Sequence, residues 1–349
     1  MSAFSEIFDM IKALSPREIT AFKRELVAFL NTSITATATL AEHTEELRFV
    51  NGRVCPICGS VQIVRNGRRA DGKQRFVCRD CGKGFVINTN AITAGTHKEL
   101  DIWEKYIDCM MNGFSIRKTA EICKISKNTA FNWRHKILDA LQNMQNGVLL
   151  NGIVEADETF FPDSYKGNHK HSKTFTMPRP ARHRGSSIHQ RGLSKEQVCV
   201  MCAVNRNGLS YAKIGKLGKV NKECVERAFN SRIQEFATLC TDKEKAYNKF
   251  ADNNNLLHFQ LDENQSKKGI YNIQRINNYH SRLKAFLKPF NGVATKYLNN
   301  YIVWFNLVKF AKETDIEKQH IFLDFVLSTA KSVKCRTLSD RPNLPLLVA

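Results

Sequence analysis

Three carboxylates lie within four consecutive positions near the middle of the chain: Glu155, Asp157 and Glu158. Together with the apolar Val154 and Ala156 they form a short run that is typical of a buried β-strand. Unpaired charge is expensive to bury, and a divalent cation would remove that cost. The run therefore predicts either a metal site at the end of a strand or an ordinary solvated strand edge, and these residues alone leave both open.

A second acid follows another short apolar run, because Asp242 comes directly after residues 237–241. Further along, Asn277 and Lys284 recur at helical spacing with His280 beside them, so that one face of the predicted helix is polar. The order of elements is βββαβα. It matches an RNase H-like fold, in which adjacent central strands bring carboxylates together.

Two CxxC pairs precede this region, and residues 59–77 separate them. The four thiols have the spacing of a structural Zn²⁺ site, and they are Cys55, Cys58, Cys78 and Cys81. The residues between them predict two short strands around a turn at Asp71 and Gly72, as in a zinc ribbon. Arg68 and Arg69 on this hairpin are candidates for phosphate contact, with a solvated basic face as the alternative.

Residues 101–142 contain three predicted helices, and Ser126 is placed to cap the last of them. Two helices joined by a short turn are typical of a helix-turn-helix, whose second helix enters the major groove of DNA. The candidates for base or phosphate contact are Lys127, Asn128, Thr129, Asn132 and Arg134. We expect Ala130, Trp133, Ile137 and Leu141 to pack inward.

The composition narrows the class of partner. The chain has 349 residues, with 53 Lys and Arg against 33 Asp and Glu, and its formal net charge is +20. Such an excess favours a nucleic acid, and no apolar run approaches the roughly 20 residues that span a bilayer. The sequence MSAFSEIFDMIK at the start is acidic where a signal peptide is basic. We therefore expect a cytoplasmic, nucleoid-associated protein with no membrane partner.

These patterns predict a multi-domain protein. Its expected parts are a helical N-terminal segment and linker (1–46), a zinc ribbon (47–95), a helix-turn-helix domain (98–148), an α/β RNase H-like domain with a mixed sheet (150–310, including a basic insertion at 164–195) and a helical tail (311–349).

Three strings carry a resemblance to a known group: VEADETFF, LCTDKEKAY and INNYHSRLKAFL with the following FNGVATKYLNNYIVWF. Over roughly residues 50–310 the chain resembles bacterial insertion-sequence transposases that have a zinc ribbon, a helix-turn-helix and an RNase H-like catalytic domain. They belong to the broad DDE-type group, in the branch where Asn replaces the last Glu.

The resemblance implies two Mg²⁺ (or Mn²⁺) ions held by Asp157, Asp242 and Asn277, with Lys284 as an accessory catalytic position. Asn278 stays open as the alternative third ligand, and Glu158 or Glu155 as a source of further negative charge. His280 or Lys284 would orient a DNA phosphate. The resemblance also implies cleavage of double-stranded DNA at the element's inverted repeats, transfer of the freed 3′ end to target DNA, and action as a homodimer or higher multimer.

Two other functions compete with this one. A non-catalytic DNA-binding regulator would use only the zinc ribbon and the helix-turn-helix, and it leaves the acidic strand ends unexplained. An RNase H-like nuclease would cut DNA without joining it.

Overall fold

The computed structural model describes residues 40–50, 52–145, 147–167, 176–177, 179, 194, 196–261, 267–310, 315–329 and 335–342. The chain divides into two compact units, one formed by Met1–Thr89 with His97–Asp101, the other by Asn90–Thr96 with Ile102–Ala349. Most of the expected N-terminal segment and of the basic insertion lies outside the described residues, whereas residues 315–329 and 335–342 of the tail are described. The five-part division of the chain stays a prediction.

The first unit is a small three-stranded antiparallel sheet preceded by one helix. Its elements are α1 (Leu40–Arg48), β1 (Ile63–Arg68), β2 (Gln74–Cys78) and β3 (Gly84–Val86), in the sheet order β1-β2-β3. Phe76 is fully buried between the rings of Phe49 and Phe85, each 5.5 Å away between ring centroids. The predicted hairpin is confirmed, and β3 extends it.

Helix α1 differs from the linker that the sequence predicts up to residue 46. The run of Thr and Ala residues has no strong helical pattern of its own. However, the residue that follows the helix, Phe49, packs edge-on against Phe76 at the centre of the sheet. Glu45 on the helix also lies 3.8 Å from the guanidinium groups of both Arg53 and Arg65. The Leu, Ala and Glu residues of α1 themselves favour a helix, and contacts with the ribbon stabilise it further.

The second unit begins with three helices: α2 (Leu100–Met111), α3 (Ile116–Ile122) and α4 (Lys127–Gln145). The Ser115 hydroxyl accepts a hydrogen bond from the Lys118 N–H at 3.3 Å, and the Ser126 hydroxyl accepts one from the Thr129 N–H at 3.0 Å. Trp133 stacks on Trp103 at 3.7 Å between ring centroids. The predicted helices are confirmed. The predicted inward residues are buried as well, namely Ala130, Trp133, Ile137 and Leu141.

A five-stranded mixed sheet forms the centre of the second unit. Its strands are β4 (Ile153–Pro162), β5 (Gln197–Asn205), β6 (Ser210–Leu217), β7 (Thr238–Thr241) and β8 (Leu257–Gln260). Their order in the sheet is β6-β5-β4-β7-β8. The first three strands pair antiparallel, whereas β4 pairs parallel with β7 and β7 with β8. The central strand β4 therefore has the acidic run, as expected.

Helices cover both faces of this sheet. Helices α5 (Lys222–Phe229) and α6 (Ala246–Asn253) share a buried core with Val154 and Ala156 of β4. The other face lies against α7 (Gln274–Leu287), because Glu155 and Asp157 of β4 contact that helix. Alternation along β4 thus sends Glu155 and Asp157 to one face, and Glu158 to the other.

The remaining described elements are β9 (Lys267–Lys268), β10 (Tyr271–Asn272), a 3₁₀ turn (Lys288–Phe290), α8 (Thr295–Phe305), a π-helical turn (Asn306–Phe310), α9 (Asp315–Ser328) and α10 (Cys335–Ser339). Within the described ranges, the helices are all too short or too polar to cross a bilayer.

Candidate active site and zinc site

The register of β4 and β7 brings two aspartates near each other, but Asp157 lies in the middle of β4 and not at a strand end as the sequence predicted, and only Asp242 directly follows its strand. Glu155 lies beside Cys240 in this parallel pair. Two residues further along each chain segment are Asp157 and Asp242, and alternate residues of a strand share a face. The negative charge of Asp242 acts on Asp157 strongly enough to raise its pKa. The sequence prediction that these two acids meet is therefore supported by the strand pairing.

Asp157 is in an environment that disfavours its own charge. Burial, and then the charge of Asp242, raise its pKa to about 7. Two groups oppose this rise: the backbone N–H of Glu158, which donates to Asp157 Oδ1 at 2.8 Å, and the ammonium of Lys284. A divalent cation beside Asp157 would stabilise the carboxylate that the protein alone leaves half protonated near neutral pH.

Glu158 lies on the opposite face of β4 but belongs to the same group of charges. The Tyr247 hydroxyl donates a hydrogen bond to Glu158 Oε2 at 3.0 Å. Burial and the charge of Asp157 nevertheless raise the pKa of Glu158 to about 8. Glu158 stays a candidate for further negative charge at the proposed metal site.

Glu155 has its oxygens committed to other partners. It is completely buried. Its Oε2 accepts hydrogen bonds from the backbone N–H groups of Arg275 at 2.8 Å and Ile276 at 3.1 Å, where α7 begins. Its Oε1 lies 3.1 Å from the Arg206 guanidinium as an ion pair. Burial raises the pKa of Glu155, while these N–H groups and Arg206 act against that rise. The structure gives Glu155 a role in holding α7.

Helix α7 presents His280 to the aspartates. His280 Nδ1 lies 3.8 Å from Asp157 Oδ2, and its Nε2 is buried without a hydrogen-bond partner. Burial, and then the charge of Lys284, lower the pKa of His280 to about 4. The imidazole is therefore neutral at pH 7, and its contact with Asp157 is not an ion pair. The sequence also favoured a helix that turns its polar side, including His280, towards the two aspartates, and this contact supports that prediction. A contact of His280 with a DNA phosphate stays a prediction.

The other α7 residues lie at the margin of the site. Lys284 is exposed one turn beyond His280, and its charge acts on both His280 and Asp157. Asn277 and Asn278 are exposed one turn before His280. Among the contacts of the described residues, none joins either asparagine side chain to an aspartate. The structure thus groups Asp157, Asp242, His280 and Lys284, and it leaves the choice of third ligand a prediction.

The four cysteines of the first unit converge on one point. Cys55 Sγ lies 3.8 Å from Cys81 Sγ, and Cys58 Sγ lies 3.6 Å from Cys78 Sγ. A tetrahedral Zn²⁺ with Zn–S bonds of about 2.3 Å requires sulfurs about 3.8 Å apart. In the described part of the chain, this is the one group of three or more His, Cys, Asp or Glu residues whose ligand atoms all lie within 4.8 Å of one another. The thiols fit a structural Zn²⁺, as predicted.

The comparisons with known proteins match one family to each of two regions of the chain. Residues 149–306 match the ISXO2-like transposase domain. This region is a transposase domain of the insertion-sequence type. Residues 53–82 match the InsA N-terminal domain, a zinc ribbon. The resemblance seen in the sequence is thereby confirmed at the level of the family and of the zinc ribbon.

One relative of the chain is the uncharacterized protein in transposable element ISH50 from Halobacterium salinarum, 23% identical over 266 residues, which are 75% of this chain and 87% of that protein. Among solved structures, a simian T-cell lymphotropic virus intasome in complex with PP2A regulatory subunit B56 gamma is 11% identical (62% of this chain, 74% of that chain, TM-score 0.30). The Mos1 strand transfer complex is also 11% identical (69% and 81%, TM-score 0.26). These TM-scores are too low to support a fold assignment, which depends instead on the strand order and register of the sheet.

One predicted DNA-contacting residue is wrong. Arg134 is completely buried on the inner side of α4. Its guanidinium donates to the Phe114 carbonyl at 2.8 Å and to the Thr119 hydroxyl at 3.2 Å, and it lies over the Trp304 ring at 4.9 Å. Arg134 thus joins α4 to its neighbours. Arg134 is next to the inward-facing Trp133 on the helix. The sequence does not show whether a residue at the boundary between the buried face and the polar face points inward or outward.

The other candidates at the start of α4 are accessible to different degrees. Lys127 and Asn128 are exposed, whereas Thr129 and Asn132 are half-buried. On the zinc-ribbon hairpin, Arg68 and Arg69 are both exposed. Arg69 lies 3.6 Å from Asp71, a surface ion pair that leaves its charge available to solvent. These six side chains are therefore exposed or half-buried, and they remain accessible to DNA.

Proposed function

We propose that this protein cuts the ends of its element and joins them to target DNA, using Mg²⁺ or Mn²⁺ held by Asp157 and Asp242. The observation that supports the proposal is the pairing of Glu155 in β4 with Cys240 in β7, because Asp157 and Asp242 are each two residues further along and the charge of Asp242 acts on Asp157. The strand order β6-β5-β4-β7-β8 is that expected for an RNase H-like fold, in which the two central parallel strands supply the acids.

The residues fit a divalent cation. Carboxylate oxygens are the ligands that Mg²⁺ prefers, and the raised pKa of Asp157 indicates a site that lacks positive charge. Bound there, two metal ions would activate the attacking oxygen and stabilise the leaving oxygen of an in-line phosphoryl displacement. Asp157 is acted on by the charge of Asp242 and contacts His280, so we assign it as the central carboxylate that would hold the ions together with Asp242.

We assign the third ligand to Asn277, with Asn278 as the alternative. The resemblance points to Asn277, and this residue lies on the polar side of α7 one turn before His280. An amide oxygen is a neutral ligand and holds one metal ion less strongly than a carboxylate. Neutral His280 lies next to Asp157 with Nδ1 3.8 Å from Oδ2, which is beyond hydrogen-bond distance, and the exposed Lys284 is suited to a phosphate oxygen of the DNA.

DNA recognition is assigned to the start of α4 and to the zinc ribbon. In a helix-turn-helix the first turn of the second helix meets base edges and phosphates. Lys127 and Asn128 are exposed there, with Thr129 and Asn132 behind them. Arg68 and Arg69 would add phosphate contacts. We also propose that the protein acts on the nucleoid in the cytoplasm, and as a homodimer or higher multimer when two ends are joined.

The test incubates the purified protein with its element's end DNA, a target plasmid and Mg²⁺. We expect binding, cleavage and joining, whereas a regulator would bind only and a nuclease would cut without joining. Asp157→Ala and Asp242→Ala should abolish cleavage and leave binding largely intact. Asp252→Asn, an exposed aspartate on α6, is the control and should cleave normally. Cleavage by the Asp157→Ala protein would refute the site.

A further inference from the structure

The first turn of α7 is closed by side chains from outside the helix. The first N–H groups of an α-helix have no acceptor within the helix. Here the Asn272 side chain accepts from the Gln274 N–H at 3.2 Å. Glu155 Oε2 then accepts from both the Arg275 and the Ile276 N–H groups, at 2.8 and 3.1 Å. A single buried carboxylate from the central strand thus supplies two of the missing acceptors.

Arg206 completes this arrangement. It follows β5, and its guanidinium lies 3.1 Å from Glu155 Oε1 and donates to the Ile270 carbonyl at 3.1 Å. The Arg206 carbonyl in turn accepts from the Arg275 side chain at 3.1 Å. Glu155 and Arg206 together tie β4, the turn after β5 and the segment around the start of α7. We call these two residues the α7 clamp.

The α7 clamp lies one step before the candidate active site on both elements. Along β4, Asp157 is two residues beyond Glu155, an advance of about 7 Å in a strand. Along α7, His280 is four residues beyond Ile276, an advance of about 6 Å in a helix. The two distances match, and His280 Nδ1 meets Asp157 Oδ2 at 3.8 Å. A shift of α7 at the clamp would therefore move His280 away from Asp157.

We propose that Glu155 is a positioning residue, which with Arg206 holds α7 in the register that sets its polar face against Asp157 and so shapes the metal site. The proposal rests on the proposed function, because the metal site is what it positions. The negative charge is essential to the role: Glu155 Oε2 accepts from both N–H groups, and Oε1, which accepts no hydrogen bond from the described residues, faces the positive charge of Arg206 at 3.1 Å. A glutamine of the same shape would turn an N–H₂ group towards one of these donors.

If Glu155 had a purely structural role, replacing it would lower the stability of the protein and leave metal binding unchanged. The chain offers a matched control for this alternative. The Asp139 side chain is 8% exposed and pairs with Arg341 at 2.5 Å and with the Asn300 amide at 2.8 Å. It lies on α4, away from the clamp. Asp139→Asn thus breaks a buried carboxylate–arginine pair of similar burial without touching the start of α7.

The experiment measures Mn²⁺ binding to the full-length protein by electron paramagnetic resonance, together with thermal unfolding. We expect Glu155→Gln to weaken Mn²⁺ binding by about 10- to 100-fold, the usual effect of losing a group that orients metal ligands. Arg206→Gln, at a partly exposed position, should weaken it by a smaller factor. Asp139→Asn should lower the melting temperature and bind Mn²⁺ like the unmodified protein.

Failure of this inference is distinguishable from failure of the proposed function through Asp157→Ala. If Asp157→Ala loses Mn²⁺ binding while Glu155→Gln and Arg206→Gln keep it, the positioning role is refuted and the metal site stands. If Asp157→Ala retains Mn²⁺ binding, the proposed site itself is wrong. Should Glu155→Gln fail to fold, Arg206→Gln decides the question, since unchanged Mn²⁺ binding in that variant contradicts the proposal.

Discussion

Replacing Asp157 with Asn should stabilise the metal-free protein at alkaline pH while abolishing cleavage. The pKa of this carboxyl rises from an ordinary value of 3.8 to about 7, through burial and then the charge of Asp242. A carboxyl with a higher pKa in the folded state holds more protons when folded at intermediate pH. Stability therefore falls as the pH rises from about 4 to about 7.

The size of the effect follows from the same pKa. A rise from 3.8 to about 7 corresponds to about 4 kcal/mol between the charged and neutral forms. This is a ceiling, because water and small rearrangements near a buried charge reduce the cost. Asp157→Asn removes the charge at almost unchanged shape. We expect a gain in the free energy of unfolding of about 1–2 kcal/mol near pH 5 and of up to about 4 kcal/mol near pH 8.

The assay is urea unfolding followed by tryptophan fluorescence at pH 5 and pH 8, without added Mg²⁺. The three tryptophans of the chain all lie in the second unit, so their emission reports the unit that contains Asp157. Chelators are left out because they would remove zinc from the first unit. Mn²⁺ should stabilise the unmodified protein at pH 8 and should stabilise the Asp157→Asn protein far less.

The control is Asp252→Asn, whose exposed carboxylate should make the same small difference at both pH values. The pKa of Glu158 is raised as well, partly by Asp157, so the difference between pH 5 and pH 8 includes relief of Glu158. The loss of the Asp157 charge and the relief of Glu158 both make the Asp157→Asn protein more stable at pH 8. If the Asp157→Asn protein is no more stable than the unmodified one at pH 8, the charge of Asp157 does not destabilise the folded protein. The argument for a metal ion at Asp157 would then be refuted.

Three further predictions address other parts of the chain. A strong chelator should release one Zn²⁺ per chain, measured with a colorimetric zinc indicator; release of none, with the four thiols freely reactive beforehand, would contradict the zinc site. Lys127→Ala should weaken binding to end DNA and lower the salt slope of that binding by about 1. Arg134→Met should leave that slope unchanged and lower the free energy of unfolding in urea by about 3 kcal/mol, because its buried partners lose their donor. A changed salt slope in the Arg134 variant would return that residue to the DNA interface. Asn277→Glu should tighten Mn²⁺ binding in a metal titration, and unchanged affinity would argue against Asn277 as a ligand.

Local patterns were enough to predict most of the secondary structure. Alternation and apolar runs predicted the strands with Asp157 and Asp242, and the two serine caps predicted α3 and α4. The helix α1 was missed because it directly follows a Thr- and Ala-rich run that is typical of a linker, although its own Leu, Ala and Glu residues favour a helix. The buried Glu155 also had a signal in the sequence, since a carboxylate inside an apolar strand needs a partner, but the identity of that partner is not local.

The sequence by itself determined the chemistry available to this protein: four thiols at zinc spacing, two acids at strand ends and a polar face on a later helix. Spacing along the chain decides these features, because a helix or strand of known period puts given residues on one face. Only the tertiary structure decided what each face meets. It turned Arg134 inward to Trp304, committed Glu155 to the start of α7 and brought His280 to Asp157. Contacts between distant segments depend on strand register and helix packing, which the short-range pattern of residues does not specify.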